Sequence, residues 1–198
     1  LQKFESSCSI SLVTDLGFNM YDDIDILIDD LNTEQSFIPS KWEWLDDTLG
    51  GGFLESGKAL YVFAGETNIG KSIFLGNIAH NIASQGKNVL LVTLEMSELL
   101  YAQRICSNAT KIPMKELRQN GPSIKNAIAR ENGKVFIKEF PPATITPNQL
   151  KAFIKKFGEK GIKLDAIVLD YLNLLHSTVG NNSYERYYLR IHRACCYC

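Results

Sequence analysis

The sequence predicts an α/β fold with a doubly wound, mainly parallel sheet flanked by helices, and three observations support this. Short apolar runs alternate along the chain with segments of helical periodicity. The runs are apolar at consecutive positions, as in strands that helices cover on both faces. A glycine-rich segment joins the first run to its helix. The expected strands, at about 59–64, 88–94, 134–140 and 164–172, are fewer than the roughly five to six that such sheets commonly have, so a fold incomplete at its C-terminal end is expected.

The composition is that of an ordinary globular domain. The chain has 198 residues, 45% of them apolar, and a formal charge of -1, so it is long enough to bury a core. The near-neutral charge argues against a protein that wraps nucleic acid as histones do. No apolar run approaches the ~20 residues that span a bilayer, and the first residues lack the apolar region of a secretory signal. We therefore expect no membrane association and a cytoplasmic setting.

The N-terminal 37 residues are expected to form an acidic segment of their own, before a core over residues 38–198. Pro39 is expected to end the one helix of this segment, at about 21–33. That helix is predicted from four apolar residues at helical spacing. They are Ile24, Leu27, Ile28 and Leu31. Either the helix docks on its own domain, or it is an arm that docks on a neighbouring subunit.

The core is expected to follow as strands alternating with helices. Residues 38–49 are read as an irregular lead into a flexible turn at the glycines 50–52. Ser97 is expected to cap a helix through its hydroxyl, and prolines open the three helices that follow. Helices are predicted at about 71–84, 97–107, 113–119, 122–130 and 147–158.

The glycine-rich segment between the first strand and its helix predicts a phosphate-binding P-loop. Its residues are Gly65, Glu66, Thr67, Asn68, Ile69, Gly70, Lys71 and Ser72. Glycines let the backbone curl so that N–H groups point at a phosphate, and the helix N-terminus adds its positive dipole end. In such a loop the lysine reaches the β- and γ-phosphates and the serine binds Mg²⁺. The sequence therefore predicts a site for Mg²⁺ with ATP or another nucleoside triphosphate.

Two carboxylates follow predicted strands, at the sheet edge where α/β proteins bind their ligands. Asp170 ends the apolar run 166–169, which is the pattern of a Walker B strand whose aspartate holds Mg²⁺. The alternative is an ordinary aspartate that caps a turn. Glu95 follows the strand 89–94, where it is either the general base that activates the attacking water or a solvated loop carboxylate.

These segments together resemble the hexameric replicative DNA helicases of the DnaB type, particularly their phage relatives. The similar segments are the P-loop, Thr-Leu-Glu-Met-Ser at 93–97 and Asp-Tyr-Leu-Asn-Leu-Leu at 170–175, and the likeness runs from about residue 37 to about 175. The resemblance implies a RecA-like P-loop ATPase in which Glu95 is the catalytic base and Asp170 the Walker B residue. It also implies a role for Arg104, in the helix after Leu-Glu-Met, although a surface arginine fits that position as well.

The function implied by this resemblance is that of a replicative DNA helicase. The chain would be the core that hydrolyses Mg-NTP while a hexameric ring moves along single-stranded DNA and unwinds a fork. The acidic helix would be the linker to the adjacent subunit, and primase or a helicase loader would be a partner, in the cytoplasm of a bacterium or a phage-infected host. Family members continue past Walker B with a sensor, an arginine finger and DNA-binding loops, so this chain alone is expected to have little activity.

Other functions stay open on the sequence. Leu49 and the glycines 50–52 are also similar to RecA-like recombinases and clock-type ATPases. A nucleotide-dependent interaction module without turnover fits a chain in which no arginine finger is assigned. A small-molecule kinase is disfavoured because the chain shows no arginine-rich lid.

The C-terminal residues give two further patterns. Three cysteines beside His192 lack the paired spacing that is typical of zinc ligands. They are Cys195, Cys196 and Cys198. The segment 183–193 mixes basic and aromatic residues as a surface for single-stranded nucleic acid does, but its tyrosines recur at helical spacing, which favours a buried stripe.

Overall fold

The computed structural model describes residues 17–55 and 59–176, so the C-terminal cysteines and tyrosines lie outside the described residues. The chain divides into two compact units, one up to Gln35 and one from Ser36 onward. In the first unit, helix α1 (Ile24–Leu31) confirms the predicted helix. It ends well before Pro39, so the expectation that the proline terminates it was wrong. The Thr33 N–H and hydroxyl turn back to carbonyls of the last turn, at 3.0 Å each, and close the helix there.

The second unit opens with a helix and a small sheet where an irregular lead was expected. Strand β1 (Phe37–Ile38) pairs antiparallel with β2 (Phe53–Leu54), and helix α2 (Glu43–Leu49) lies between them in the chain. The helix is short and mostly polar, which hid it in the sequence. It ends at Gly50, whose φ of 74° is left-handed and suits glycine.

The central sheet has the strand order β4–β3–β5, with both pairings parallel. The three strands are β3 (Asn88–Thr93), β4 (Lys134–Glu139) and β5 (Ala166–Asp170). Three of the four predicted sheet strands are thereby confirmed, with ends shifted by a few residues. Thr93 is in register with both Glu139 and Asp170, so the carboxyl ends of the three strands form one edge.

Helices cover both faces of this sheet, and the central strand is buried between them. Val89, Leu90, Leu91 and Val92 are each 0% exposed. Val89 and Leu91 pack on the side of helices α3 (Lys71–Ala83) and α4 (Glu98–Thr110). Leu90 and Val92 pack on the opposite side, with the third major helix of the unit. A continuous apolar strand sandwiched in this way confirms the doubly wound α/β prediction.

The remaining helices also agree with the sequence in type or position. Ser97 accepts the Leu100 N–H at 3.3 Å and caps α4 as predicted. The segment predicted as a helix at 113–119 is a 3₁₀ helix, Met114–Gln119, followed by α5 (Gly121–Ile128). Helix α6 (Pro147–Glu159) packs on the second face of the sheet. None of the helices in the described ranges is long and apolar enough to cross a membrane.

The segment 59–64 was expected to be the first sheet strand, and this prediction was wrong. Tyr61 and Phe63 pack against the core, whereas Leu60 and Val62 are 52% and 67% exposed. An apolar run indicates burial on both faces, but a strand also needs a partner along its edge. Within residues 17–55 and 59–176 no strand pairs with this segment, so it is extended chain with one covered face.

Candidate nucleotide-binding site

The P-loop connects the extended segment 59–64 to α3 and turns twice through left-handed backbone. Asn68 has a φ of 64° and Gly70, the N-cap of α3, a φ of 98°. The Gly70 carbonyl accepts the Phe74 N–H at 2.9 Å and begins the helix. The first N–H groups of α3 have no partner within the helix and face the loop, as at known anion sites. The loop backbone therefore has the form that a phosphate site requires.

Lys71 is the first residue of α3 and bends back onto the loop. Its Nζ donates to the Gly65 carbonyl at 2.8 Å and to the Glu66 carbonyl. The loop side chains from Glu66 to Ile69 are exposed. The ammonium is thus held beside the same backbone that would cradle a phosphate.

Asp170 ends β5 as a buried carboxylate with one oxygen left over. The residue is 1% exposed, and its Oδ2 accepts a hydrogen bond from the Tyr101 hydroxyl. Its Oδ1 forms no hydrogen bond with the part of the chain that the structure describes. A buried oxygen without a partner is costly and calls for an explanation. A bound cation would supply the partner.

Tyr101 is the residue that brings Asp170 and the P-loop helix together. Its side chain is 0% exposed, and burial first, then the Asp170 carboxylate, raise the pKa of its phenol well above the usual range. Ser72 is close enough to the same hydroxyl to oppose this shift through a hydrogen bond that lowers the pKa. The two residues predicted to bind Mg²⁺ therefore meet at one phenol.

The sequence analysis missed Tyr101, although one signal for it was present. Gly76 lies in the interior of α3, where glycine costs roughly 1 kcal/mol relative to alanine. A Cβ at this position would approach Cε1 of Tyr101 at 3.2 Å. A glycine one helical turn after the P-loop serine thus marks the close approach of another side chain.

Ser72 and Asp170 fit a magnesium ion in their chemistry. A hydroxyl and a carboxylate are the hard oxygen donors that Mg²⁺ prefers, and Mg²⁺ usually takes its remaining ligands from phosphate and water. In the described ranges no group of three or more His, Cys, Asp and Glu side chains forms an all-protein metal site. A cation held by these two residues would therefore depend on the nucleotide for further ligands.

Glu95 lies on a fixed turn, but its carboxylate is exposed. The hydroxyl of Thr93, itself 0% exposed, accepts the Met96 N–H and donates to the Met96 carbonyl, at 2.9 Å each. The Leu94 N–H donates to the Asp170 carbonyl at 2.8 Å. The backbone of Glu95 is thus held at the edge that carries Asp170. Its side chain forms no hydrogen bond or ion pair with the described residues, so the structure does not bring it onto the P-loop.

Arg104 lies one turn after Tyr101 in α4 and is half-buried. Its positive charge is near enough to lower the pKa of the Tyr101 phenol. It forms no ion pair with any carboxylate in residues 17–55 and 59–176. The structure therefore brings Arg104 near Tyr101 and not near Lys71.

The fold and the loop together define the class of protein. A parallel sheet covered by helices on both faces, with a P-loop at the start of α3 and an aspartate at the end of β5, is the arrangement of a RecA-like P-loop NTPase domain. The family of DnaB-like helicase C-terminal domains matches residues 38–193. The chain belongs to that family.

Individual relatives agree with the family. The chain is 31% identical to the replicative helicase DnaB of a Nostoc species over 148 residues, 70% of this chain and 16% of that protein. It is 26% identical to the DnaB-like replicative helicase of Enterobacteria phage T4 over 189 residues, 89% of this chain and 39% of that protein. The chain thus spans well under half the length of these curated relatives.

Solved structures give the same picture of the fold. One of them, an isolated ATPase domain, aligns with 91% of this chain and 66% of its own, at a TM-score of 0.74 and 16% identity. A DnaB-like replicative helicase, described with its interactions with primase, aligns with 92% of this chain and 47% of its own, at a TM-score of 0.66 and 19% identity. At these identities the likeness supports the fold.

Proposed function

We propose that this chain is the ATPase core of a ring-shaped replicative DNA helicase, which hydrolyses Mg-ATP or another Mg-NTP to move along single-stranded DNA and unwind a fork. The observation that carries the proposal is the meeting of Ser72, at the start of α3, and Asp170, at the end of β5, on the Tyr101 hydroxyl. In P-loop NTPases these two positions hold the metal of the nucleotide complex. The two curated relatives, both named as replicative helicases, support the choice of reaction.

The side chains of the site divide the reaction among them. Lys71 would exchange its two carbonyl partners for the charged oxygens of the β- and γ-phosphates, which are stronger acceptors. Glu95 would orient a water molecule and accept its proton as the water attacks the γ-phosphate. Ser72 and Asp170 would hold Mg²⁺, which neutralises charge on the β- and γ-phosphates. These are the roles that the sequence predicted, and they remain proposals for each residue.

A further positive charge is needed at the transition state, and we assign it to a neighbouring copy. No arginine of the described residues forms a hydrogen bond or ion pair with the P-loop. An arginine finger contributes 10³ to 10⁵ in rate in related NTPases. An arginine of the adjacent subunit in a ring would complete the site.

The steady-state ATPase rate of the purified 198-residue chain, with and without single-stranded DNA, tests this proposal. We expect nucleotide binding together with turnover well below about one per second, because the missing arginine costs at least 10³-fold. DNA-stimulated turnover at about one per second or faster would show that the catalytic set is complete in this chain. Nucleotide binding without hydrolysis in any assembly, including longer forms of the protein, would favour an interaction module instead.

Helix α1 is proposed to be the arm that joins one subunit to the next. Its apolar stripe is exposed, with Ile24 at 41%, Ile28 at 48% and Leu31 at 74%. Acidic residues surround the stripe, so its docking surface on the second copy should be apolar with a basic rim. In this family resemblance the corresponding segment is a linker to the adjacent subunit, which is why a second copy is the proposed occupant.

The double substitution Ile28→Ser and Leu31→Ser tests the arm. Each buried side chain is worth roughly 1.5 to 3 kcal/mol, so self-association should require at least about tenfold higher protein concentration. Ile26→Ser is the matched control, because Ile26 is 62% exposed and lies outside the stripe. Mass photometry over a range of concentrations measures the assembly. Equal association of the double variant and the control would contradict the proposed arm.

A further inference from the structure

We propose that Tyr101 is a positioning residue of the magnesium site, whose hydroxyl holds the Asp170 carboxylate and the Ser72 hydroxyl in the arrangement that receives the cation. The inference rests on the proposed function and deepens it, because it assigns a residue that holds the two metal ligands. Tyr101 itself would not touch the nucleotide or the metal.

The first support is the contact between Tyr101 and Asp170. Both residues are buried, at 0% and 1% exposure, so water does not compete for their hydrogen bond. A phenol donating to a carboxylate is a charge-assisted bond, which is strong in a buried setting. Occupying Oδ2 in this way fixes the plane of the carboxylate and leaves Oδ1 as the oxygen that is free for a cation.

The second support is the fit of the Tyr101 ring against α3. Ser72 and Gly76 are four residues apart in this helix, so they lie on one face. The ring packs over Gly76, where a Cβ would crowd Cε1 at 3.2 Å, and the hydroxyl lies beside Ser72. The glycine thus lets the phenol reach the first turn of the P-loop helix.

The third support is that α4, which carries Tyr101, is fastened at its N-terminus. Glu98 accepts a hydrogen bond from Lys138 Nζ at 2.8 Å and from the Glu139 N–H at 3.0 Å. These contacts join the first turn of α4 to the end of β4, at the same sheet edge as Asp170. The phenol is therefore presented from a support tied to the sheet, as a residue that orients metal ligands requires.

The Tyr101→Phe variant separates positioning from packing, because it removes the hydroxyl and keeps the ring over Gly76. Partners that orient metal ligands typically contribute 10- to 100-fold in metal affinity. We expect the Mg²⁺ concentration at half-maximal stimulation of ATP binding to rise about tenfold, with affinity for ATP in EDTA unchanged. A fluorescent ATP analogue titrated into the 198-residue chain at fixed Mg²⁺ concentrations measures both.

The matched control is Tyr61→Phe, which removes another phenol of the same unit. The Tyr61 hydroxyl accepts the Leu54 N–H at 2.9 Å, away from Ser72 and Asp170. Its Mg²⁺ midpoint should equal that of the unsubstituted chain. Gly76→Ala is a second test with the hydroxyl present: the added Cβ displaces the Tyr101 ring, so the midpoint should rise here too.

The outcomes distinguish this inference from the proposed function. If the unsubstituted chain binds no ATP analogue with or without Mg²⁺, the nucleotide site is wrong and the role of Tyr101 is overturned with it. If it binds the analogue, and Tyr101→Phe and Gly76→Ala both keep the unsubstituted Mg²⁺ midpoint, the positioning role alone is overturned. Should Tyr101→Phe fail to fold by circular dichroism, Gly76→Ala decides the question.

Discussion

Replacing Lys71 with alanine is expected to weaken Mg-ATP binding by roughly 10- to 100-fold. A hydrogen bond to a charged group contributes about 1.5 to 3 kcal/mol, and each 1.4 kcal/mol is a factor of ten. The fold should survive, because the Lys71 side chain contacts only the carbonyls of its own exposed loop. Isothermal titration calorimetry with Mg-ATP measures the affinity, and circular dichroism checks the fold.

Lys115→Ala is the matched control for this experiment. Its side chain is 82% exposed, and its one ion pair, with Glu116, is long at 4.0 Å, so its removal should leave both affinity and fold unchanged. If Lys71→Ala binds Mg-ATP as tightly as the control does, the glycine-rich segment does not act as a P-loop.

Replacing Glu95 with glutamine is expected to lower turnover by about 10²-fold or more while nucleotide affinity is retained. A general base contributes typically 10² to 10⁴ in rate, and glutamine keeps the shape of glutamate without its basicity. Loss of kcat with little change in binding is the signature of an interaction made only in the transition state. The variant should be measured in a form of the protein that turns over ATP, by steady-state kinetics and by binding of a fluorescent analogue.

Asp170→Asn provides the contrast to Glu95→Gln. Asparagine in place of this buried aspartate removes the negative charge at the proposed metal site, so the Mg²⁺ requirement should rise. Glu116→Gln is the control, as its side chain is 50% exposed in the 3₁₀ helix. Wild-type turnover by Glu95→Gln would move the catalytic role to another residue.

Local sequence patterns predicted the parts of the fold that depend on neighbours in the chain. The four consecutive apolar residues of β3 are all buried, because helices cover both faces of the strand. Ser97 caps α4 because a serine before a helical segment satisfies an N–H of its first turn. The P-loop was readable for the same reason, since its glycines and lysine lie within eight residues.

Features that depend on distant contacts were missed or misread. The apolar run at 59–64 was assigned to the sheet, yet strand pairing is decided by segments far away in the chain. Helix α2 was missed because Leu45 is its one buried residue, and its start is set by the Asp46 carboxylate accepting the Ser40 N–H at 2.6 Å. Tyr101 was missed because its partner, Asp170, lies 69 residues away. No periodicity within α4 announces such a contact.

The contacts of Lys71 with its own loop have a consequence for ligand selectivity. Two neutral carbonyl oxygens, of Gly65 and Glu66, already accept hydrogen bonds from the ammonium. A ligand displaces them only by offering better acceptors, and anionic phosphate oxygens are better whereas the hydroxyls of a nucleoside are not. Nucleosides and free bases therefore leave the lysine where it is, and the loop discriminates by ligand charge before any part of the protein has recognised the base.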